Sequence, residues 1–242
     1  MYTHAAIILA VIAGVFFLAR WFKITTELSI FAAAVAGGIA HTGGIPVRHL
    51  VEGTFTYFDI CLIFITATVF INLLKEAGGI SFMVRSIIKT FHDRKYLCLL
   101  LLTVVLLIPG ALTGAGAATV LTVGTLVGTV LTYMGISKTR TTAIIFVCAT
   151  MSAAAPPVNL WAMMTAAGAN MPYVGFMQPL FVLSVTGALL AMFILGGKGE
   201  PVDLDKALSE LPKPPEDMNW FRVILPFAVF FLLVLAGRLW PF

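Results

Sequence analysis

The sequence predicts an all-α polytopic membrane protein with about six transmembrane crossings, one re-entrant helical hairpin and one broken helix. Three observations carry that reading. Of the 242 residues, 60% are hydrophobic and only 11% charged, against roughly 25% charged in a soluble domain. Long apolar runs recur from end to end, which neither a cleaved signal peptide nor a single anchor explains. The 21 glycines and 12 prolines are scattered through those runs, and helix breakers at membrane depth are tolerated where neighbouring protein satisfies the freed backbone groups.

The same inventory excludes other classes. A net charge of +4 reads as loop bias, with no nucleic-acid partner. Cys61, Cys98 and Cys148 lie in apolar segments without ligand-like spacing, so they read as small buried hydrophobes. His4, His41, His49 and His92 sit near segment ends with no acidic or nucleophilic partner at motif spacing, so no enzyme is expected.

In chain order, Ala5 to Leu18 is the first span, ended by Arg20 and Lys23. Leu28 to Ala40 is a short second span, and Tyr57 to Leu74 a third. Between them HTGGIPVRHLVEG reads as a loop from its Gly-Gly and Ile-Pro steps. In KEAGGISFMVRSIIKTFHDRK the apolar residues Ile80, Phe82, Met83, Ile87, Ile88 and Phe91 alternate with Arg85 and Lys89 in a near-helical period. This predicts an amphipathic helix along the membrane surface, its basic residues facing headgroups.

Tyr96 to Ile108 amounts to about 20 Å of helix, too short for a hydrocarbon core about 30 Å thick. Ala117 to Met134 is a second apolar arm, and PGALTGAG between them predicts a non-helical tip. The two arms therefore read as a hairpin that enters and leaves on one side. Thr139 to Ala166 is apolar but divided by AAAPPVN, where Pro156 and Pro157 remove amide donors and free the carbonyls near Ser152, Ala153 and Ala154. Tyr173 to Leu195 and Trp220 to Leu239 complete the spans. With the amino terminus outside, every Lys and Arg except Arg48 and Arg238 faces the cytoplasm, the positive-inside pattern.

Two segments carry candidate chemistry. At the tip, Thr113 and the backbone of Gly110, Gly114 and Gly116 present oxygens. At the break, Thr150, Ser152 and Asn159 do so beside the carbonyl of Ala154 and the two prolines. Neutral oxygens of this kind suit Na⁺, and the half-helices starting near Ala117 and Val158 offer positive dipole ends to an anion. A lone Pro-Pro kink or small-residue helix packing is the plainer reading of each motif alone. Together they are how many secondary transporters build a site near the midplane. Asp59 is the one carboxylate that could carry a proton, though it lies near the expected outer boundary. A channel would need a continuous polar lining, which the two local clusters do not supply.

In this order, a surface arm, a short-armed hairpin with LTGAGAAT at its tip, the basic loop MGISKTR and a helix broken at AAAPPVN and followed by AGANMPYVG resemble the first half of an ion-transporter superfamily carrier. The chain is most similar to the large membrane subunit of tripartite ATP-independent periplasmic (TRAP) transporters, itself similar to the divalent-anion/sodium symporters. The resemblance implies a Na⁺-coupled, elevator-type carrier of small organic anions in a bacterial or archaeal cytoplasmic (inner) membrane. It implies one repeat of an inverted-repeat fold, completed by a second membrane polypeptide, with an extracytoplasmic substrate-binding protein as a further partner. Thr113, Gly114, Pro157 and Asn159 would face substrate; Gly110, Thr113, Gly116, Thr150, Ser152, Ala154, Pro156 and Asn159 would hold Na⁺. A proton-coupled carrier and a non-transporting structural subunit are the alternatives. Residues 1–75 would form scaffold helices, 76–95 the surface arm, 96–134 the hairpin and 139–168 the broken helix. Residues 173–195 would be a further span, 196–219 a cytoplasmic connector and 220–239 a helix beginning a second scaffold.

Overall fold

The computed structural model describes residues 2–239. Among them the regular structure is entirely helical. Residues up to Asp59 form one compact unit and those from Ile60 onward a second.

In the first unit α1 (Tyr2–Trp21) and α2 (Thr26–Thr42) pack together. Gly37 of α2 lies against Ile12, whose Cγ1 stands 2.5 Å from where a Cβ would sit. The helix α2 closes at Gly43, in the left-handed region at φ 72°, with its amide on Ile39 O. The stretch read as a loop is instead largely helical: α3 spans Val47–Thr56, exposed and amphipathic, with Arg48 and Glu52 paired at 2.7 Å. The Ile-Pro step that suggests a loop is also a helix start, because a proline there removes an amide that has no helical partner anyway.

The helix α4 (Phe58–Glu76) leads into the second unit, followed by α5 (Gly79–Phe91) and α6 (Lys95–Thr113). A second arm comprises α7 (Gly116–Thr119), a π-helical turn (Val120–Gly124) and α8 (Thr125–Tyr133). Then come α9 (Lys138–Ala154), α10 (Leu160–Gly168), a 3-10 turn (Tyr173–Phe176), α11 (Met177–Gly196), α12 (Leu204–Glu210) and α13 (Trp220–Leu239). The core is a packed apolar layer: Leu99, Leu102 and Leu106 of α6, Val127 and Leu131 of α8, Ile144 and Cys148 of α9, and Met192 of α11 are all buried. The amphipathic α5 contributes Ile80, Val84, Ile87 and Ile88 to it. Its apolar face thus covers protein, and Arg85 donates to Leu208 O (2.8 Å) and Leu211 O (2.7 Å) rather than reaching outward.

These bonds define a basal end. Lys95, at the start of α6, donates to Gly197 O after α11 (2.5 Å), and Glu200 N donates to Met134 O after α8 (2.7 Å). The start of α6, the end of α8, the end of α11 and the connector therefore meet on one side.

Five described helical stretches are long and apolar enough to cross a membrane: His4–Trp21, Phe58–Glu76, Lys95–Thr113, Gly116–Tyr133 and Tyr173–Gly196. The protein is thus a multi-pass, all-helical membrane protein. The hairpin arms differ from their expected form. The first arm does not stop at Ile108 but continues through Pro109 to Thr113, about 28 Å at 1.5 Å per residue. Only Gly114 and Ala115 leave helical structure between the arms.

Candidate functional site

The hairpin tip and the helix break, separate in sequence, meet. Pro109 brings no amide to α6, and the next amide, Gly110 N–H, donates to Thr119 Oγ1 on the second arm (3.0 Å). Thr119 Oγ1 lies 2.7 Å from Ser152 Oγ, and Ser152 Oγ donates to Ala149 O (2.7 Å). Since Ser152 gives its only proton to Ala149, Thr119 is the donor between the two hydroxyls. The result is a one-way chain from Gly110 N–H through Thr119 and Ser152 to Ala149 O, wholly buried. Each hydroxyl keeps one lone pair beyond those bonds.

Three glycines allow this approach. A Cβ on Gly110 would stand 2.1 Å from Ser152 Oγ, and one on Gly116 would stand 2.7 Å from Ala149 O. Gly114 closes the turn at φ 69°, its Cβ position 2.7 Å from the Leu160 amide nitrogen at the start of α10. The backbone joins the two segments as well, Val158 N donating to Ala111 O (3.0 Å). Thr113 supports the turn from within, donating to Pro109 O (2.8 Å) and accepting from Ala115 N (3.3 Å).

At the break, residues 155–159 leave helical structure. Asn159 spans it: its Nδ2 donates to Ala154 O (3.0 Å), closing the end of α9, while its Oδ1 accepts from Ala162 N (3.0 Å), capping α10. Its own amide donates to Tyr173 Oη (3.3 Å). Positive partial charge at the start of α10 therefore faces the tip at Gly114.

Gly110, Thr113, Gly114, Gly116, Ser152, Ala154 and Asn159 are thus brought together. Thr150 is not among them: it is exposed and donates to Phe146 O (2.9 Å). Pro156 and Pro157 shape the break, and Pro157 lines an apolar cavity of about 520 Å³ with Ile63, Phe70, Leu112, Val158 and Tyr173. That lining suits hydrocarbon better than a carboxylate. Asp59 lies at the first turn of α4, exposed. Among the described residues no three His, Cys, Asp or Glu gather as a metal site, and all three cysteines are free thiols.

Two residues escaped the sequence reading. Thr119 joins tip to break, and its place one helical turn into the second arm is the signal that could have found it. Lys75, at the end of α4, donates to Leu121 O within the π-helical turn (3.1 Å), where the wider i+5 pairing disturbs the usual carbonyl ladder.

Interrupted helices that meet in a multi-pass helical membrane protein are one way in which secondary transporters build a site. The model of one carrier family, DcuC, C4-dicarboxylate anaerobic carrier, matches residues 3–197. The chain belongs to that family, and so to carriers of small organic anions rather than to enzymes. No curated protein and no solved structure matches it.

Proposed function

We propose that the chain moves a C4-dicarboxylate across a cytoplasmic membrane, holding one carboxylate at the join of tip and break. The observation that carries this reading is the contact of Gly114 with the amino end of α10. It brings oriented amide donors and the buried Thr119–Ser152 pair into one small region. An anion there is balanced by backbone dipoles without an arginine. Na⁺ is the coupling ion of this proposal, taken by the spare lone pairs of Thr119 and Ser152 and by carbonyls around the break. Hairpin and broken helix would move together, as in an elevator, and a second hairpin and broken helix would face this one, from another membrane polypeptide as in the TRAP systems. A binding protein on the outer side belongs to the same comparison.

Proton coupling is the second reading. It is favoured by the engagement of Asn159, whose amide oxygen and nitrogen both serve the backbone and leave fewer ligands for a cation. Counterflow of labelled succinate in proteoliposomes, with a Na⁺ or a proton gradient imposed separately, tests both. Saturable exchange driven by Na⁺ supports the first reading and exchange driven by protons alone the second. Exchange by this chain alone contradicts the need for a second polypeptide, whereas absence of exchange in native membrane vesicles that hold the complete assembly, or a steady unitary current, contradicts the carrier itself.

A further inference from the structure

Away from the tip, at the basal end, α8 and α9 diverge around a groove of about 580 Å³ lined by Thr129, Thr132, Tyr133, Lys138, Thr141 and Glu210. Most of these groups are already engaged: Thr129 and Thr132 donate to carbonyls of their own helix. Thr141 differs. It is 6% exposed, and its buried Oγ1 has no hydrogen-bond partner. An unpaired buried hydroxyl costs stability and calls for a reason. Lys138 supplies a cation at the rim, in the first turn of α9, where that helix presents its positive end.

One carboxylate already lies in this groove. Glu210, the last residue of α12, accepts from Tyr133 Oη (2.5 Å). Its backbone does not depend on that bond, because Arg85 grips the carbonyls of Leu208 and Leu211 on either side of it. The side chain can swing out while the connector stays in place.

We propose that this groove is a second anion site, a carboxylate subsite on the connector side, in which Glu210 serves as an internal surrogate that an incoming dicarboxylate displaces. Lys138 then meets the ligand, Thr141 turns its hydroxyl, closed to solvent while Glu210 lies in the groove, toward it, and Tyr133 passes its hydrogen bond from Glu210 to it. The proposal rests on the anion-carrier reading for its ligand. Small anions gathered there would exchange with the join of tip and break as the carrier turns over.

Sided measurement of succinate exchange in oriented proteoliposomes tests it. Thr141→Val removes a hydroxyl that bonds nothing, so a purely structural role predicts an unchanged or raised Tm. The subsite predicts that stability together with a connector-side half-saturation raised about fivefold, the outer side being unaffected. Lys138→Gln acts in the same direction. Glu210→Gln keeps an acceptor for Tyr133 but removes the competing charge, and lowers the connector-side half-saturation about threefold. Half-saturation constants unchanged in all three variants, or shifted equally on both sides, overturn the subsite.

A readout independent of transport separates this failure from failure of the carrier reading. In a Cys61→Ala background, Thr132→Cys is labelled by a maleimide, and succinate slows the labelling more than chloride at matched ionic strength. Equal effects of the two salts overturn the subsite even where exchange is robust. Protection without exchange in native membranes that hold the complete assembly leaves the subsite standing and removes the carrier reading.

Discussion

The hairpin tip and the helix break answer the same problem, proline inside an apolar helix, in opposite ways. At Pro109 the helix continues. The single missing amide deprives only the Val105 carbonyl of its usual donor, and the next amide, Gly110 N–H, turns to Thr119 on the second arm. At Pro156 and Pro157 the helix ends, since two consecutive amides are lost, and Asn159 repairs both free ends with one side chain. A lone proline redirects backbone bonding, whereas a pair interrupts it. The two regions then share one buried hydroxyl pair, which makes each the partner of the other.

The largest effect that would break this pairing comes from Gly110→Ala. Its methyl group would stand 2.1 Å from Ser152 Oγ, with the Ser152 backbone carbonyl carbon at 2.8 Å, so tip and break must separate. Overpacking of this kind costs about 1–3 kcal/mol or more, and succinate exchange should drop well over tenfold with a lowered Tm. A fully active, equally stable Gly110→Ala protein would show that the join is not tight. Next comes Gly114→Ala, which adds left-handed strain, about 1 kcal/mol or more, to a clash with the Leu160 amide. Exchange should fall further than Tm does, since the damage lies at the amino end of α10.

Asn159→Ala sharpens the comparison by attacking only the break. Loss of the cap costs about 1 kcal/mol, while Asn159→Asp retains the acceptor for Ala162 N–H and should recover part of that stability. Equal loss in both variants would mean that the bond to Ala154 O dominates.

The smallest effect lies outside both regions and serves as a control. Lys206, hydrogen-bonded and paired with Asp203 at 2.9 Å, holds that carboxyl below the usual carboxylate range. A depressed folded-state value contributes stability above the unfolded carboxylate pKa and loses it as pH falls through the lowered value, here below about pH 4. Asp203→Asn, which keeps a capping acceptor for Lys206 N–H, should lower Tm slightly at pH 7 and progressively less below pH 4. Salt should shrink the difference, because the pair is exposed.

Much of this architecture was legible in the sequence. Hydropathy gives the apolar spans, and the Pro-Pro step marks the break to within a residue or two. The tip was legible as a place but not as a shape, because breaker content alone does not reveal that α6 runs past Pro109 to Thr113 or that Thr119 takes the Gly110 amide. The same limit applies to α3, whose Ile-Pro start reads equally as loop or helix. Gly110, Gly116 and Ser152 were visible as members of two motifs. Their contact was not, since close approach depends on how α6, α7 and α9 pack. Thr150 lies close to the break in sequence, but helical periodicity turns it to the exposed face of α9. Thr119 and Lys75 act over distances of 33 and 46 residues, which no local pattern records.

Thr119 and Ser152, 2.7 Å apart, form one hydrogen-bonded unit that joins tip to break. A double-mutant cycle of Thr119→Val and Ser152→Ala, read in labelled-succinate exchange, tests it most directly. Each single variant should slow exchange about tenfold by leaving its partner hydroxyl underpaired, and the double variant should be no slower than the worse single one. Single effects that multiply in the double variant, or variants that exchange succinate at the unmodified rate, would contradict it.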